Sequence, residues 1–122
     1  MVAIVLGAVS LLAQASAWHV INVNPTDPTD RLEVDNATLK KVGNVVTVWS
    51  RQTFANPQPL DNTGAVFDMA LNHQSIDCMN DTFVTTTATF FKGKAMVTTT
   101  SFPKTDIPPD SIIQTIEKAV CP

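Results

Sequence analysis

The chain contains two cysteines, Cys78 and Cys121, and the second lies at the end of its last predicted helix. Ser111 followed three residues later by Gln114 forms a capping box, and prolines directly precede it, so the pattern predicts a helix that begins after Ser111. About three turns are marginal in isolation, so this helix needs tertiary packing and a link through Cys121. The predicted packed side has helical spacing and comprises Ile112, Ile113, Ile116, Ala119 and Val120.

The first seventeen residues form an uncharged apolar run that closes on Ala15-Ser16-Ala17. Small residues at the −3 and −1 positions are typical of a signal-peptide cleavage site. A membrane anchor or a buried N-terminal helix are the alternatives, but the run is short against the roughly 20 apolar residues of a spanning helix. We therefore expect a signal peptide at 1–17 and one mature domain at 18–122, exported to the periplasm, the medium or the cell surface. No cysteine follows the run, so we expect no membrane or lipid anchor after cleavage.

Export determines how the cysteines are interpreted. In an oxidising compartment disulfides persist, so we predict that Cys78 and Cys121 are joined. The closed loop of about 44 residues would gain at most roughly 4 kcal/mol from the lost freedom of the unfolded chain. A metal-binding or nucleophilic pair is the alternative, and it has less support because metal sites usually show closer Cys and His spacing.

Composition narrows the class of protein. About 105 residues remain after the predicted cleavage, which is the length of a single domain. Eight basic and eleven acidic residues give a net charge of −3. This balance disfavours a nucleic-acid partner, whose phosphates need a basic face, and no polybasic run is present for anionic lipids.

The rest of the chain predicts an antiparallel sheet of about six strands, giving an α+β fold with the C-terminal helix packed on one face. Loops are expected at the proline-marked segments 24–30, 56–64 and 103–109. A bulge near residues 72–75 is expected because the apolar residues of the fourth strand change face there. Gly43-Asn44 and residues 92–94 carry hairpin signals. The predicted strands are 18–23, 31–35, 44–54, a fourth starting at Ala65, 82–91 and 95–102.

The clearest strand, 44–54, begins with valine on both of its faces and so predicts a central place in the sheet. Trp49 and Arg51 share one of those faces. One interpretation is that both residues form a binding surface, since Trp and Arg are enriched in interface hot spots. The other is that Trp49 belongs to the core beneath the helix. The core position is the favoured interpretation.

Threonine blocks at 85–87 and 98–100 lie on neighbouring predicted strands and could pair across the hairpin. Cross-strand packing and β propensity explain them best. A flat threonine array that binds ice or glycans is the less favoured alternative, because no regular repeat extends it.

Signatures of catalysis are close to absent. His19 and His73 lie in separate predicted strands, and Asp68 and Asp77, on either side of His73, fit solvated or turn carboxylates better than an acid–base pair. Four glycines leave little room for a phosphate-binding loop, and no serine nucleophile motif occurs. We therefore predict no catalytic residues, no metal ligands, no cofactor and no enzyme.

Seven short segments follow one another along the chain: Trp18, Val34-Asp35, Gly43 to Trp49, Ile76 to Cys78, Phe91 to Gly93, Ile107 to Ser111 and Val120-Cys121. In this order and spacing they resemble the surface-adhesin protein E family of small exported bacterial proteins. The resemblance implies the sheet and disulfide-tied helix expected above. It also implies adhesion: the named member binds host extracellular-matrix and serum proteins, dimerises and has been linked to haem, for which His19 and His73 would be the candidate ligands.

The sequence thus predicts a non-enzymatic, adhesin-like binding module of the bacterial envelope with a host or envelope protein as its ligand. A homodimer is a further expectation. The alternative is a structural subunit that assembles with copies of itself through sheet edges. No ligand-binding residue is assigned by the resemblance, and the helix is expected to act as a structural clasp.

Overall fold

A computed structural model describes residues 16–61 and 63–122. Most of the predicted signal peptide therefore lies outside the described residues. Within the described residues, seven strands form one antiparallel sheet in the order β1-β2-β4-β5-β6-β7, and β3 pairs with β4. The elements are β1 (Trp18–Asn24), β2 (Asp27–Asp35), β3 (Lys40–Val42), β4 (Val45–Pro59), β5 (Val66–Asp77), β6 (Thr82–Lys92), β7 (Ala95–Asp106) and α1 (Ile112–Val120).

The predicted fold class is confirmed: an antiparallel sheet carries one C-terminal helix, and the disulfide between Cys78 and Cys121 joins the two. The strand beyond the expected six is β3, three residues that directly precede the predicted hairpin signal at Gly43-Asn44. It forms a hairpin with β4 through Gly43, whose φ of 60° is in the left-handed region that glycine adopts readily.

The three proline-marked loops predicted at 24–30, 56–64 and 103–109 are shorter than expected because strands run into each of them. Pro28 belongs to a stretch of β2 that makes no ladder pair, and Pro103 lies on the edge strand β7. A strand tolerates proline at such positions because no ladder hydrogen bond is lost there.

The irregularity predicted near residues 72–75 exists, but the extra residue belongs to the neighbouring strand. β4 and β5 keep one register over the whole of residues 45–53, so β5 itself has no insertion there. Against β6, the register skips Thr86 between the partners of His73 and Gln74. The predicted change of face is therefore wrong. One face of β5 stays buried along the strand, at Ala70, Gln74 and Ile76.

The apolar core lies between α1 and one face of the sheet. Ser111 caps the helix as predicted, since its Oγ accepts a hydrogen bond from the Gln114 backbone N–H at 3.2 Å. The predicted packed side was too wide, because Ile112 is 45% exposed and Ala119 is also exposed. The buried core residues are Leu32, Val34, Val46, Val48, Ile76, Ile113, Ile116 and Val120.

A buried polar chain crosses three strands on this covered face. Ser50 Oγ donates to Gln74 Oε1 at 3.1 Å, and Gln74 Nε2 donates to Thr85 Oγ1 at 3.3 Å. All three side chains are buried and cannot hydrogen-bond to water, so these two bonds supply the partners that their polar groups need.

The threonine blocks do not pair with each other. In the observed register residues 98–100 lie opposite residues 88–90, while Thr85 lies opposite Phe102. The register is fixed by the hairpin at Gly93 and by shifts along the ladder, which displace one block from the other. A single threonine pair remains across this part of the hairpin, Thr99 with Thr89, whose hydroxyls lie 3.3 Å apart.

Candidate binding face

The face of the sheet opposite α1 is open, and β4 shows the contrast between the two faces most clearly. Val46, Val48 and Ser50 are buried, whereas the alternate residues Trp49 and Arg51 are only half-buried. The helix-side core does not include Trp49. The favoured interpretation of Trp49 as core beneath the helix is therefore wrong, and Trp49 and Arg51 do share the open face.

Trp49 stacks on His73, its direct partner in β5. The ring centroids are 4.4 Å apart and the ring planes differ by 21°. Both side chains are half-buried, so each ring keeps part of its surface toward solvent. Stacked aromatic pairs in a sheet are rigid, because each ring restricts the rotamers of the other.

The imidazole of His73 is neutral at pH 7. Burial, followed by the positive charge of Lys40, lowers its pKa from the ordinary value of 6.5. Thr86 is the extra residue of β6, and its hydroxyl faces His73. Its Oγ1 lies 3.0 Å from the backbone carbonyl oxygen of His73 and 3.2 Å from Nδ1 of the His73 ring. Because a hydroxyl has one proton to donate and it goes to the carbonyl, this contact favours the tautomer protonated on Nδ1.

Arg51 lies beside this stack and is held from two sides. Its Nε and Nη2 donate to Glu33 Oε1 and Oε2, both at 3.1 Å, which is a bidentate pair. Its guanidinium carbon also lies 4.2 Å from the ring centroid of Trp18, a cation–π distance. Arg31 adds a third contact to Glu33 at 3.2 Å.

Glu33 organises this end of the open face from a buried position, with 7% of its side chain exposed. Burial raises the pKa of its carboxyl, but the hydrogen bonds and positive charges of Arg51 and Arg31 outweigh burial, and the pKa lies below its ordinary value of 4.5. The carboxylate is therefore ionised at neutral pH. We name the surface formed by Trp18, Glu33, Trp49, Arg51 and His73 the aromatic patch.

The other residues considered from sequence do not join this patch. His19 lies on β1, which β2 and β4 separate from the β5 strand of His73, so the two histidines do not share a site. Asp68 binds the hairpin at Gly93, whose N–H donates to it at 3.0 Å, and pairs with Lys92 at 3.6 Å. Asp77 caps the turn that follows β5, accepting from two backbone N–H groups at 3.1 Å. Both carboxylates serve turns, as expected.

The arrangement offers recognition chemistry. The hydroxyl of Thr86 lies beside the His73 ring, but it donates its proton to the His73 carbonyl oxygen, so the imidazole is not placed to activate it as a nucleophile. Among residues 16–61 and 63–122, no three His, Cys, Asp or Glu side chains are grouped as a metal site would need. Within the same residues, no helix has the length and apolar character required to cross a membrane.

Sequence reasoning missed two members of the aromatic patch. Glu33 looked like the polar side of an ordinary alternating strand, and Trp18 served only as a marker of the resemblance. The charge of Glu33 between two apolar neighbours was the sequence feature that could have indicated its role. Its partner Arg51 is eighteen positions away, so the sequence does not show that the two residues pair. Only the register of β2 against β4 brings these residues together.

Comparison with known families places the chain. The family model described as Surface-adhesin protein E matches residues 18–122, which is nearly all of the sequence. Neither the curated proteins nor the solved structures gave a significant match. The matched segment contains every described strand, the helix, both cysteines and the aromatic patch. The chain therefore belongs to the surface-adhesin protein E family, as its sequence resemblance predicted.

Proposed function

We propose that this protein is a non-enzymatic binding module of the bacterial envelope that recognises a protein partner through the aromatic patch. The observation that carries the proposal is the Trp49–His73 stack, half-exposed on the sheet face that α1 leaves open. Membership of a surface-adhesin family supports an adhesive role at the cell surface. Export through a signal peptide at 1–17, with a mature chain starting near Trp18, is part of the same proposal.

The composition of the patch fits a protein ligand. Tryptophan and arginine carry a disproportionate share of binding energy in protein interfaces. Tryptophan buries a large area with only two rotatable side-chain bonds, and arginine presents five N–H donors in a planar arrangement. Here the guanidinium of Arg51 lies over the Trp18 ring and is fixed by Glu33. The patch is therefore ordered before any partner arrives.

The test is binding of the purified mature protein to host extracellular-matrix and serum proteins, the ligand class that the family resemblance implies. We expect Trp49→Ala and His73→Ala each to weaken binding by about thirtyfold, the effect of losing a hot spot. Met96→Ala is the matched control, since Met96 is an apolar side chain, 64% exposed, on the distant edge strand β7. Equal affinities of all three variants and the wild type would contradict the proposal.

A second candidate, self-assembly through sheet edges, is favoured by the edge strand β7. This strand pairs with β6 on one side and has no neighbour among the described strands on the other. Pro103 and Lys104 within it are features that blunt edge-to-edge pairing, so we rank assembly second. A sedimentation series over a wide concentration range decides the matter, because a monomer throughout would exclude assembly.

A further inference from the structure

A groove of about 480 Å³ lies between the β1–β2 hairpin, the outer half of β4 and the first residue of α1. Its volume is within the range of small-ligand sites, roughly 300–1,000 Å³. Two register irregularities border it, one between Val23 and Asn24 in β1 and one between Thr53 and Gln58 in β4. The strands diverge from regular pairing at both places, and the space between them is open to solvent.

The groove is rich in carboxamides. Each carboxamide offers two N–H donors and one carbonyl acceptor, so the lining can both donate to a ligand and accept from it. Asn24 and Gln58 already have intramolecular partners, Asp30 and the Asn56 backbone carbonyl. Across the described part of the chain, no hydrogen bond engages the other three carboxamides. The five are Asn22, Asn24, Gln52, Asn56 and Gln58.

The charged groups of the groove already have intramolecular partners. The carboxylate of Asp30 accepts from the Ala55 backbone N–H and from the Asn24 carboxamide. Arg31 is paired with Glu33 at 3.2 Å. Because both oxygens of Asp30 and the Nε of Arg31 are engaged, the unpaired carboxamides are the groups best placed to bind a ligand, which favours an uncharged one.

Apolar side chains complete the lining. Val23 and Ile112 are each 45% exposed, and the ring of Phe54 lies between the amide-bearing residues of β4. Such a mixture matches a sugar, which has hydroxyls that both donate and accept around its rim and C–H groups on its ring faces. An extended peptide fits less well, because the central lining residues of β2 and β4 are paired with a strand on each side and offer no free edge for strand addition; these residues are Arg31, Leu32, Gln52 and Thr53.

We propose that this groove is a binding site for a neutral oligosaccharide, separate from the aromatic patch. Leu32, Gln52 and Ile112 place it on the helix side of the sheet, whereas the stack of Trp49 and His73 is on the opposite face. The two sites adjoin at Arg31, which lines the groove and pairs with Glu33 of the aromatic patch. The two sites therefore allow one envelope protein to hold a glycan and a protein partner at the same time.

The test titrates the isotope-labelled protein with uncharged oligosaccharides and follows the side-chain NH₂ resonances by NMR. One arm uses galactose-terminated oligosaccharides of the animal type, and the other uses glucose and mannose oligomers of the bacterial-polysaccharide type, which distinguishes the source. We expect the NH₂ signals of Asn22, Gln52 and Asn56 to shift in one arm while the indole N–H of Trp49 stays in place.

Variants separate this site from the proposed function. Gln52→Ala combined with Asn56→Ala should weaken oligosaccharide binding by about tenfold, the effect of losing two hydrogen bonds. Trp49→Ala is the control and should leave it unchanged, while the double variant should keep protein binding. Thermal unfolding confirms that each variant is folded. The proposal is overturned if millimolar neutral oligosaccharides shift none of the three signals, or if sialylated, sulfated or peptide ligands bind better.

Discussion

Removal of the disulfide provides the most direct test of how this fold is stabilised. The change replaces Cys78 and Cys121 together with alanine, so that no free thiol remains. The bond closes a loop with a sequence separation of 43 residues, which contains β6, β7 and α1. Without it, the unfolded chain regains the freedom that the closed loop denies it.

The expected magnitude follows from the loop length. The chain-entropy relation gives about 13 cal/mol/K for a loop of this size, or about 4 kcal/mol at 25 °C. For a domain of about 105 residues, that loss lowers Tm by about 20 °C. The helix should nevertheless stay docked in the folded state, since Ile113, Ile116 and Val120 are 7%, 2% and 5% exposed and remain packed against the sheet.

Urea unfolding followed by circular dichroism measures the loss, and hydrogen exchange of the α1 amides reports whether the helix stays docked. The matched control is Ile116→Ala with the disulfide intact, which should cost about 3 kcal/mol through a core cavity and should raise exchange in α1. A loss below about 1 kcal/mol in the double variant, or unprotected α1 amides in its native state, would refute this reasoning.

Two further predictions concern polar groups of the sheet. Glu33→Gln leaves two arginines without their carboxylate and should lower the free energy of unfolding by about 2 kcal/mol, while Asp68→Asn, in a more exposed pair, should cost less than about 1 kcal/mol. The pKa of Glu33 in the folded protein lies below its ordinary value of 4.5. The wild type should therefore exceed Glu33→Gln in free energy of unfolding by the full amount above pH 4.5, and this difference should disappear as the pH falls through the lowered pKa. A difference that stays unchanged in acid would contradict this. Gln74→Ala leaves the buried hydroxyls of Ser50 and Thr85 without their partner and should lower the free energy of unfolding by about 2 kcal/mol, as measured with urea. An unchanged free energy of unfolding would mean that water replaces the amide.

The C-terminal helix was predictable because its determinants are local. The residues that set its start are close together in the sequence: Ser111, Gln114 and the preceding prolines. Helical spacing indicates its packed side, which includes Ile113, Ile116 and Val120. The disulfide was predictable for a different reason, since the chain has two cysteines and the expected export favours their pairing. The exposure of Ile112 was not predictable, because the width of the packed stripe depends on which strands lie beneath it.

The aromatic patch shows where sequence reasoning stopped. Alternation along β4 separates its residues into two sets, but both sets begin with valine, so the pattern does not say which one the helix covers. From the sequence, a core position beneath the helix is the favoured interpretation of Trp49. The structure buries the smaller Val46 and Val48 and pairs Trp49 with His73, a contact that depends on the register of two strands.

The internal pairing of the aromatic patch also indicates how its affinity should respond to salt. Arg51 has its charge compensated by Glu33 and its guanidinium face covered by Trp18, so little net charge is left to attract a distant partner. Binding should then rest on the shape and apolar area of Trp49 and His73, which salt screens only weakly. We expect the Kd for a protein partner to change less than about threefold between low and physiological salt, as measured by calorimetry. A steep weakening with salt would show instead that peripheral lysines, and not the patch, carry the interaction.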